Sequence, residues 1–545
     1  MPIERDETIP RKWGRYGLLA ALLLALLVQV VVVLRSPAIA RDGVTFITLA
    51  RELWDSPLAT MRQADQHPGY PAMVLLGHGV LNLFVDSQTA TSWVWAARTV
   101  TGLFGLLSVV AMWLLGRRLF DARVAAVSAV LFAAAPLFRQ NACDALSDTP
   151  HLFFYLMAVW LVCEGLVRKR WPWLAAGGAA SGVAYWIRPE GLGVALVATV
   201  IVVGFRLWRR PGWKVIDTAR CAVAVALAAS AVCMPYILIK GKPTAKKDFA
   251  EVVHPETWEL QTVPVAPRPG PTPAPAPAIA PEQDSVFYHA AVRLARAAYL
   301  LLGEIAYGLR FIMLVPLLMG FVGAGRLRAQ TASRTFVGVL TLLNLVLLLT
   351  LYVVAGYIDH RHVMMVVSLM MPWVASGTLY LPDRLNLRAG RATATGPDWK
   401  VAVVLAILLV ACLPRSFRQT HQNRLPYLRA ASWIQSQREK EETVFSNSSY
   451  LLFFANSRDP VLAPDSIIPE VRSPDGGRPD RFVVLDTTCT GYSRDWIARI
   501  KGQGEIVAIP DVSAYTERIV ALVLRNHSRD KDLGASERPP VGEDH

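Results

Sequence analysis

Long runs of apolar residues without a charged side chain recur along the chain. The clearest runs are 18–34, 99–116, 152–163, 221–239, 311–325, 336–358 and 363–381. A helix needs about 20 residues to cross the hydrocarbon of a bilayer, where every backbone polar group must be satisfied internally. The pattern therefore predicts a polytopic α-helical membrane protein with about 11 transmembrane helices.

Arginine and lysine residues cluster in alternate loops between these runs. The clusters are Arg5, Arg11, Lys12 and Arg15; Arg117 and Arg118; Arg168, Lys169 and Arg170; Arg206, Arg209, Arg210 and Lys214; Arg326, Arg328 and Arg334; and Arg384, Arg388 and Arg391. All of them fall on one side if the segment 70–84, which contains Pro71, Gly77 and His78, does not cross. The positive-inside bias then predicts a multi-pass protein of the plasma membrane with a cytoplasmic N-terminus and an extracytoplasmic C-terminal domain.

Composition agrees with this topology. Of the 545 residues, 53% are hydrophobic and 18% are charged, whereas a soluble globular chain carries roughly a quarter charged residues. The net charge of +14 is accounted for by the basic loops that face the cytoplasm. The sequence contains no basic patch interleaved with aromatic residues, which is the pattern expected of a nucleic-acid-binding protein. The expected surroundings are therefore the lipid bilayer.

The domain organisation follows from the same pattern. We predict a transmembrane domain over 1–414, with a first outer loop at 36–98 and a Pro-rich outer linker at 241–285, and a small extracytoplasmic α/β domain over 415–526. A helix at 44–54 is amphipathic and suits the bilayer surface. In the C-terminal domain we expect helices at 427–440 and 495–501, strands at 443–445, 451–454, 481–485, 506–509 and 518–524, and a disordered tail at 527–545.

Polar residues at the outer ends of the spans are the candidate site. They come from four loops and are Asp42; His67 and Tyr70; Asp144 and Asp148; Arg188 and Glu190; and His360 and Arg361. A general base, a second acid and cations for an anionic leaving group are what the transfer of a group from a lipid phosphate requires. Each residue has a simpler reading as well, because Asp42 and Asp148 could cap helices and Arg361 could extend to the headgroups.

The order of several motifs resembles a known family, the integral-membrane glycosyltransferases of the GT-C superfamily. The resemblance is to the branch of the protein O-mannosyltransferases and the lipid A aminoarabinose transferases, and it covers residues 1–170 well and the remainder by topology. The motifs are Asp42 with Ala50-Arg51-Glu52-Leu53, His67-Pro68-Gly69-Tyr70-Pro71, Gly116-Arg117-Arg118-Leu119-Phe120, Ala135-Pro136 followed by Asp148-Thr149-Pro150, and Arg361.

The resemblance implies a GT-C-like fold and a polyprenyl-phosphate sugar donor, and it implies a role for each motif. Asp42 would be the base that accepts the proton of the acceptor hydroxyl as it attacks the anomeric carbon, with inversion. Asp148 would hold the acceptor or a divalent metal ion, and the metal ligands are not defined. His67 and Arg361 would neutralise the leaving phosphate, with His360 and His362 as weaker candidates. Arg188 and Glu190 would pair with one another beside the cavity, and a purely structural ion pair is the alternative.

Two alternatives from other classes stay open. Gln66 and the Pro68-Gly69 pair depart from the family pattern, in which an acidic residue often precedes the histidine and two prolines often follow it. A non-catalytic relative that binds lipid or protein is therefore one alternative. A transporter or flippase is the other, although the predicted spans are nearly free of charge at their centres and show no internal repeat. The acceptor, whether a lipid, a glycan or a protein, is not predicted.

Overall fold

A computed structural model gives the fold, and it describes most of the membrane domain and part of the C-terminal region. The described residues are 8–85, 88–207, 214–244, 284–324, 331–356, 358–384, 399–437, 443–446, 448–457, 481–486, 505–506 and 519–524. The predicted Pro-rich linker lies outside these ranges except for 241–244 and 284–285. The predicted helix 495–501 and the predicted tail also lie outside them.

Helices make up almost all of the described membrane region. They are α1 (Thr8–Arg35), α2 (Arg41–Asp55), α3 (Pro57–Gln63), α4 (Gly69–Asn82), α5 (Ala90–Leu119), α6 (Ala122–Ala134), α7 (Pro136–Ala142), α8 (Asp148–Arg168), α9 (Trp171–Ile187), α10 (Leu192–Leu207), α11 (Val215–Lys240), α12 (Asp284–Gly308), α13 (Leu314–Ala324), α14 (Thr331–Ala355), α15 (Met364–Arg384) and α16 (Trp399–Ser416). A polytopic α-helical fold is thus confirmed.

Eight of the described helices are long and apolar enough to cross a bilayer, and the bent pair α6 and α7 raises the number to nine if it counts as one span. The predicted number of about 11 is not confirmed. One reason is length, because α9 has 17 residues and α13 has 11, fewer than the roughly 20 that a perpendicular span needs. Helix α4, at 14 residues, is also too short, which agrees with a segment 70–84 that does not cross.

The chain divides into two compact units. The first unit comprises Met1–Arg35, Phe46–Gly79 and Ala96–Arg418, and the second comprises Ser36–Thr45, Val80–Trp95 and Gln419–His545. The core of the first unit is built mainly by buried Val, Leu, Ala and Phe side chains from α1 and from α5 to α16. Helix α2 confirms the predicted amphipathic helix, because Val44, Ile47 and Ala50 are buried while Glu52 and Asp55 are exposed. Trp54, which the pattern places on the apolar face, is 75% exposed.

Local sequence sets several helix ends in the first unit. Asp121 caps α6, since its side chain accepts hydrogen bonds from the backbone N–H groups of Arg123 and Val124, both at 2.9 Å. Helix α8 ends where Lys169 adopts a left-handed conformation, and α11 ends in the same way at Gly241, with a φ of 75°. These stops fix where each span gives way to a loop.

The segment after α3 is anchored on α9 and α11. The ammonium group of Lys240, at the end of α11, donates hydrogen bonds to the carbonyl oxygens of Arg62 and Ala64, both at 2.7 Å. A Cβ on Gly69 would lie 2.6 Å from the carbonyl oxygen of Trp186, so this residue must lack a side chain for the backbone to approach α9. The anchored segment carries His67 and Tyr70 into the membrane unit.

The described part of the second unit includes two short helices and a sheet. The helices are α17 (Leu425–Gln437) and α18 (Ser449–Phe454), and the strands are β1 (Thr443–Ser446), β2 (Arg481–Asp486), β3 (Glu505–Ile506) and β4 (Ile519–Leu524). The strand order is β1-β2-β4-β3. Strand β1 pairs parallel with β2, and β4 pairs antiparallel with both β2 and β3. Predicted strands at 443–445, 481–485 and 518–524 are confirmed.

The predicted strand at 451–454 is wrong. These residues belong to α18, because the side chain of Ser448 accepts a hydrogen bond from the backbone N–H of Leu451 and caps a helix. Tyr450 then lies buried, and its hydroxyl donates to the carbonyl oxygen of Ile39 at 3.1 Å. The continuous apolar run fitted a strand as well as a buried helix, and the cap decided between them.

Helices α13 and α15 approach each other so closely that a side chain would not fit at two glycine positions of their contact. A Cβ on Gly377 would lie 1.7 Å from the carbonyl oxygen of Pro316, and one on Gly320 would lie 2.0 Å from that of Trp373. Small residues let membrane helices approach in this way. We predict that Gly377→Ala lowers the free energy of unfolding by about 2 kcal/mol or more, because the two helices must separate.

Gly338 on α14 provides the matched control, since a Cβ there would meet nothing within 4 Å. Gly338→Ala should leave stability unchanged or raise it by up to about 1 kcal/mol. The midpoint of thermal unfolding of the purified protein in detergent measures both effects. Equal midpoints for the two variants would contradict the close packing of α13 and α15.

Candidate functional site

An arginine between two carboxylates lies in the turn between α9 and α10. Pro189 disfavours a helical conformation for the residue before it, so α9 ends at Ile187 and Arg188 is extended, with φ −153° and ψ 141°. Its Nη1 donates to Oδ1 of Asp148, at the start of α8, and its Nε lies 3.7 Å from Oε2 of Glu190. The side chain of Asp148 is 6% exposed and that of Glu190 is 39% exposed, so the group runs from the interior to the surface.

A second charged group lies in the loop between α14 and α15. Asp359 accepts a hydrogen bond from Nδ1 of His360 through Oδ1 and one from Nε of Arg361 through Oδ2, the latter at 3.1 Å. The backbone N–H of Asp359 donates to Nδ1 of His362 at 3.0 Å. Because Nδ1 of His362 accepts, its proton in the neutral form is on Nε2. One carboxylate thus orients the two predicted cationic residues of this loop.

The group formed by Asp148, Arg188 and Glu190 and the group in the 359–362 loop are close enough to interact electrostatically. Burial alone would lower the pKa of Arg188, but the charges of Asp148 and Glu190 outweigh it, and the pKa lies above its ordinary value. The hydrogen bond from His360 holds the pKa of Asp359 well below its usual range, against the effect of burial.

Burial and the positive charge of Arg188 lower the pKa of His362, against the effect of Asp148 and Asp359. At neutral pH Arg188 and Asp359 are therefore charged and His362 is neutral.

Tyr70 and Asp144 lie at the inner end of this region. Tyr70 is fully buried, with its hydroxyl 2.8 Å from Oγ1 of Thr101 and its ring edge-on to Phe46. Burial raises the pKa of Tyr70 above its ordinary value, and the charges of Asp144 and Asp148 act in the same direction. Asp144 is buried, and its Oδ1 accepts a hydrogen bond from the N–H of Ala145 at 2.8 Å. Both acids predicted outside the third span are therefore near Tyr70.

His67 is buried between two tyrosine rings. Its ring centroid lies 5.2 Å from that of Tyr185, edge-on, and 5.1 Å from that of Tyr236. His67 and His151 are close enough for their charges to interact. That His67 neutralises a phosphate stays a prediction. The rings of Tyr185 and Tyr236 surround His67, next to the charged group of Asp148, Arg188 and Glu190.

His151 is a site residue that sequence analysis missed. It lies one turn into α8, where Asp148, His151 and Tyr155 share a face of the helix at spacings of three and four residues. Asp148, Arg188 and Glu190 all influence it electrostatically. This spacing was the available signal, because an aspartate and a histidine three residues apart point in one direction at the start of a predicted span.

Neither ring nitrogen of His151 has a hydrogen-bond partner among the residues that the structure describes, although the side chain is 1% exposed. Oγ1 of Thr149 is buried without a partner in the same turn. Buried polar atoms in folded proteins are nearly always satisfied by protein, water or a ligand. The start of α8 can thus accept a polar group from outside the protein.

Asp42 belongs to the second unit and occupies the first turn of α2, with its side chain exposed. An acidic residue in the first turn interacts favourably with the helix dipole, so a structural contribution of Asp42 to α2 is expected in any case. Its predicted role as the catalytic base stays a prediction. The metal also stays a prediction, since no group of three or more His, Cys, Asp or Glu that could hold an ion occurs within the described ranges.

The chain is similar to known proteins over part of its sequence and in its fold. Residues 88–239 match the family model described as dolichyl-phosphate-mannose-protein mannosyltransferase. This range contains Asp144, Asp148, Arg188 and Glu190. No curated protein matches the chain by sequence.

Two solved enzymes illustrate the structural likeness. ArnT from Cupriavidus metallidurans in the apo state has a TM-score of 0.56 at 15% identity, over 92% of this chain and 97% of that chain. Its complex with undecaprenyl phosphate has a TM-score of 0.55 at 14% identity, with the same coverage. The apo oligosaccharyltransferase from Archaeoglobus fulgidus has a TM-score of 0.55 at 11% identity, over 88% of this chain and 70% of that chain.

The predicted resemblance in fold is therefore confirmed over most of the chain. Within 88–239 the sequence is similar to the mannosyltransferase family model, which covers only this part of the chain.

The Arg188 ion pair gives a testable consequence for stability. We predict that Arg188→Gln lowers the free energy of unfolding by about 3 kcal/mol, because it leaves the carboxylate of Asp148 buried without its counter-ion. Adding Asp148→Asn should restore part of this loss, since the buried charge is then removed as well. Thermal unfolding in detergent measures both variants.

Arg168→Gln is the matched control on α8. Arg168 pairs with Glu164 at 2.7 Å, but its side chain is 51% exposed and Glu164 keeps a second cation, Arg118, at 3.8 Å. The loss should therefore be at most about 1 kcal/mol. An Arg188→Gln variant no less stable than Arg168→Gln would show that the pair with Asp148 does not hold α8 and the 188–190 turn together.

Proposed function

We propose that this protein is an integral-membrane glycosyltransferase that moves a sugar from a polyprenyl-phosphate donor to an acceptor hydroxyl at the outer membrane face, with inversion. The observation that carries the proposal is the charged group of Asp148, Arg188 and Glu190, which lies near enough to the 359–362 loop for Arg188 to interact electrostatically with Arg361 and His362. The fold supports the reaction class. The ArnT structure with undecaprenyl phosphate and an archaeal oligosaccharyltransferase structure with dolichol phosphate support the class of donor.

The guanidinium groups suit a phosphate that gains negative charge as the sugar departs. Arginine donates in a planar fork that matches phosphate oxygens, and charge-assisted hydrogen bonds of this kind are among the strongest in proteins. The described contacts of Arg188 use Nη1 and Nε, which leaves Nη2 for a ligand. Arg361 is 30% exposed, so a headgroup arriving from the membrane surface can reach its side chain.

Asp42 is the proposed base. As the acceptor hydroxyl attacks the anomeric carbon, the carboxylate takes its proton, the new glycosidic bond forms and the bond to the phosphate oxygen breaks with its electron pair. A single displacement inverts the anomeric centre. Asp148 acts by holding Arg188 in position rather than by taking a proton, since its carboxylate is already paired. The sugar and the acceptor are left open by this proposal.

The first experiment tests the reaction class and the base together. Transfer of radiolabelled sugar from a panel of polyprenyl-phosphate donors to membrane acceptors is measured for the wild type, Asp42→Asn and Asp55→Asn at matched expression. We expect Asp42→Asn to lose at least about 100-fold in rate, the scale of general-base catalysis. Asp55→Asn, a control at the exposed far end of the same helix, should transfer normally.

The other outcomes identify which part of the proposal fails. Transfer that survives in Asp42→Asn would assign Asp42 to helix stabilisation and move the search for the base to Asp144 or Asp148. No transfer from any donor, with donor lipid still bound, would favour a transporter or a non-catalytic lipid-binding relative.

His151 provides a second test, of substrate binding. We predict that His151→Phe raises the KM for the donor about tenfold, because the ligand loses a buried hydrogen-bond partner. The same variant should keep or raise the unfolding midpoint, since a buried polar group without a protein partner is removed. His151→Gln, which retains a donor and an acceptor, should recover part of the affinity. An unchanged KM in His151→Phe would indicate that water alone satisfies the imidazole.

A further inference from the structure

The short segment 36–40, which leads directly into α2, is buried without being helix or strand. Four of its five residues, Ser36, Ala38, Ile39 and Ala40, are at most 8% exposed. Buried backbone outside regular structure must find hydrogen-bond partners elsewhere in the protein. Both this segment and the chain from Gln419 onward belong to the second unit, and that later part of the chain supplies the partners.

A single side chain satisfies both backbone polar groups of Ile39. The hydroxyl of Tyr450 accepts a hydrogen bond from the N–H of Ile39 at 3.3 Å and donates one to its carbonyl oxygen at 3.1 Å. At the start of the segment, Oγ of Ser36 accepts a hydrogen bond from the backbone N–H of Thr420 at 3.0 Å. The segment is therefore fixed at two points by residues more than 380 positions later in the chain.

Tyr450 is itself held in place by the surrounding elements of the second unit. It lies in the first turn of α18, which Ser448 caps, and the N–H of Ser448 donates to Oγ of Ser446 at the end of β1 at 3.1 Å. Its ring is edge-on to that of Tyr427 on α17, with centroids 5.7 Å apart. The guanidinium carbon of Arg424 lies 5.4 Å from the centroid of the Tyr450 ring. The sheet and α17 thus determine where the hydroxyl of Tyr450 lies.

The fixed residue is close in the chain to the proposed base. Ile39 precedes Asp42 by three residues, and α2 begins at Arg41. The carbonyl oxygen of Ala40 accepts a hydrogen bond from the N–H of Gly43 at 3.1 Å, so the first helical turn starts directly at the end of the segment. A displacement of Ile39 therefore moves the first turn of α2, and the carboxylate of Asp42 with it.

We propose that Tyr450 is a positioning residue, whose hydroxyl holds Ile39 and thereby sets the place of the Asp42 carboxylate. The inference rests on the proposed function, in which Asp42 takes the proton of the acceptor hydroxyl. A base must lie within hydrogen-bond reach of the proton that it takes, and a misplacement of about 1 Å can cost on the order of 100-fold in rate. The part of the chain after Gln419 thus contributes to the reaction by fixing the base.

Hydrogen exchange of the full-length protein in detergent tests the contact itself, independently of transfer. Tyr450→Phe removes the hydroxyl and keeps the ring, so the amide of Ile39 loses its acceptor. We expect the amides of the peptide 36–45 to exchange at least about tenfold faster in this variant. Unchanged exchange in this peptide would overturn the proposal.

Ser333→Ala is the matched control. It also removes a buried hydroxyl that donates to a distant backbone carbonyl, that of Cys163 at 3.3 Å, but it does so in the first unit. Exchange in the peptide 36–45 should be the same in Ser333→Ala as in the wild type.

Sugar transfer tests the consequence for the reaction. Tyr450→Phe should lower kcat about tenfold and leave the KM for the donor unchanged, because the base moves while the groups proposed to bind the donor stay. Ser333→Ala should keep both constants. A higher KM with an unchanged kcat in Tyr450→Phe would overturn the proposal.

A variant of the base separates positioning from a general loss of folding. Asp42→Glu keeps a carboxylate but displaces it by one methylene, so adding Tyr450→Phe to it should cost no more than about threefold in kcat. A tenfold loss in both backgrounds would show that Tyr450 acts through folding and would overturn the proposal. No transfer by the wild type would remove the proposed function and this inference with it, whereas a normal kcat in Tyr450→Phe would overturn the inference alone.

Discussion

The ion pair between Asp148 and Arg188 is the interaction on which the candidate site depends. It joins the start of α8 to the turn between α9 and α10, and it does so at a position where neither charge is well hydrated. A buried pair of this kind adds little net stability, but losing one partner is costly because the other charge stays buried. The ion pair therefore favours one position of the start of α8 relative to the turn between α9 and α10. His151 and His362 lie close enough to both residues to interact with them electrostatically.

The guanidinium groups of the candidate site are balanced by carboxylates. Arg188 and Arg361 each have a carboxylate partner, so these guanidinium groups are held in one orientation by the protein itself. Under the proposed function, a donor phosphate would compete with Asp148, Glu190 and Asp359 for the same N–H donors. Charge-assisted hydrogen bonds of this kind are among the strongest in proteins, so this competition would weaken the binding of the phosphate.

Much of the fold was predictable from the sequence because the bilayer imposes a simple rule. Charge-free runs become helices, and the amphipathic helix at 44–54 and the strands at 443–445, 481–485 and 518–524 follow from residue type and period. The strand predicted at 451–454 failed because a capping contact of Ser448 decides a short apolar run. The loop residues of the candidate site could be chosen from the sequence by their chemistry. Which of them pair with each other could not be predicted. Arg188 was expected to pair with Glu190, and its shorter contact is to Asp148, forty positions earlier in the chain.

The hydrogen bonds of Lys240 have a mechanical consequence. The ammonium group holds two carbonyl oxygens of the 62–64 segment just before the chain enters its Pro-rich stretch. The carbonyl oxygen of Pro243, three residues further on, accepts a hydrogen bond from the hydroxyl of Tyr185. The end of α11 is therefore tied both to the 62–64 segment and to one of the two rings that contact His67. A displacement of the backbone at 243–244 would reach that ring directly, so the position of this exit segment and the shape of the space around His67 are mechanically coupled.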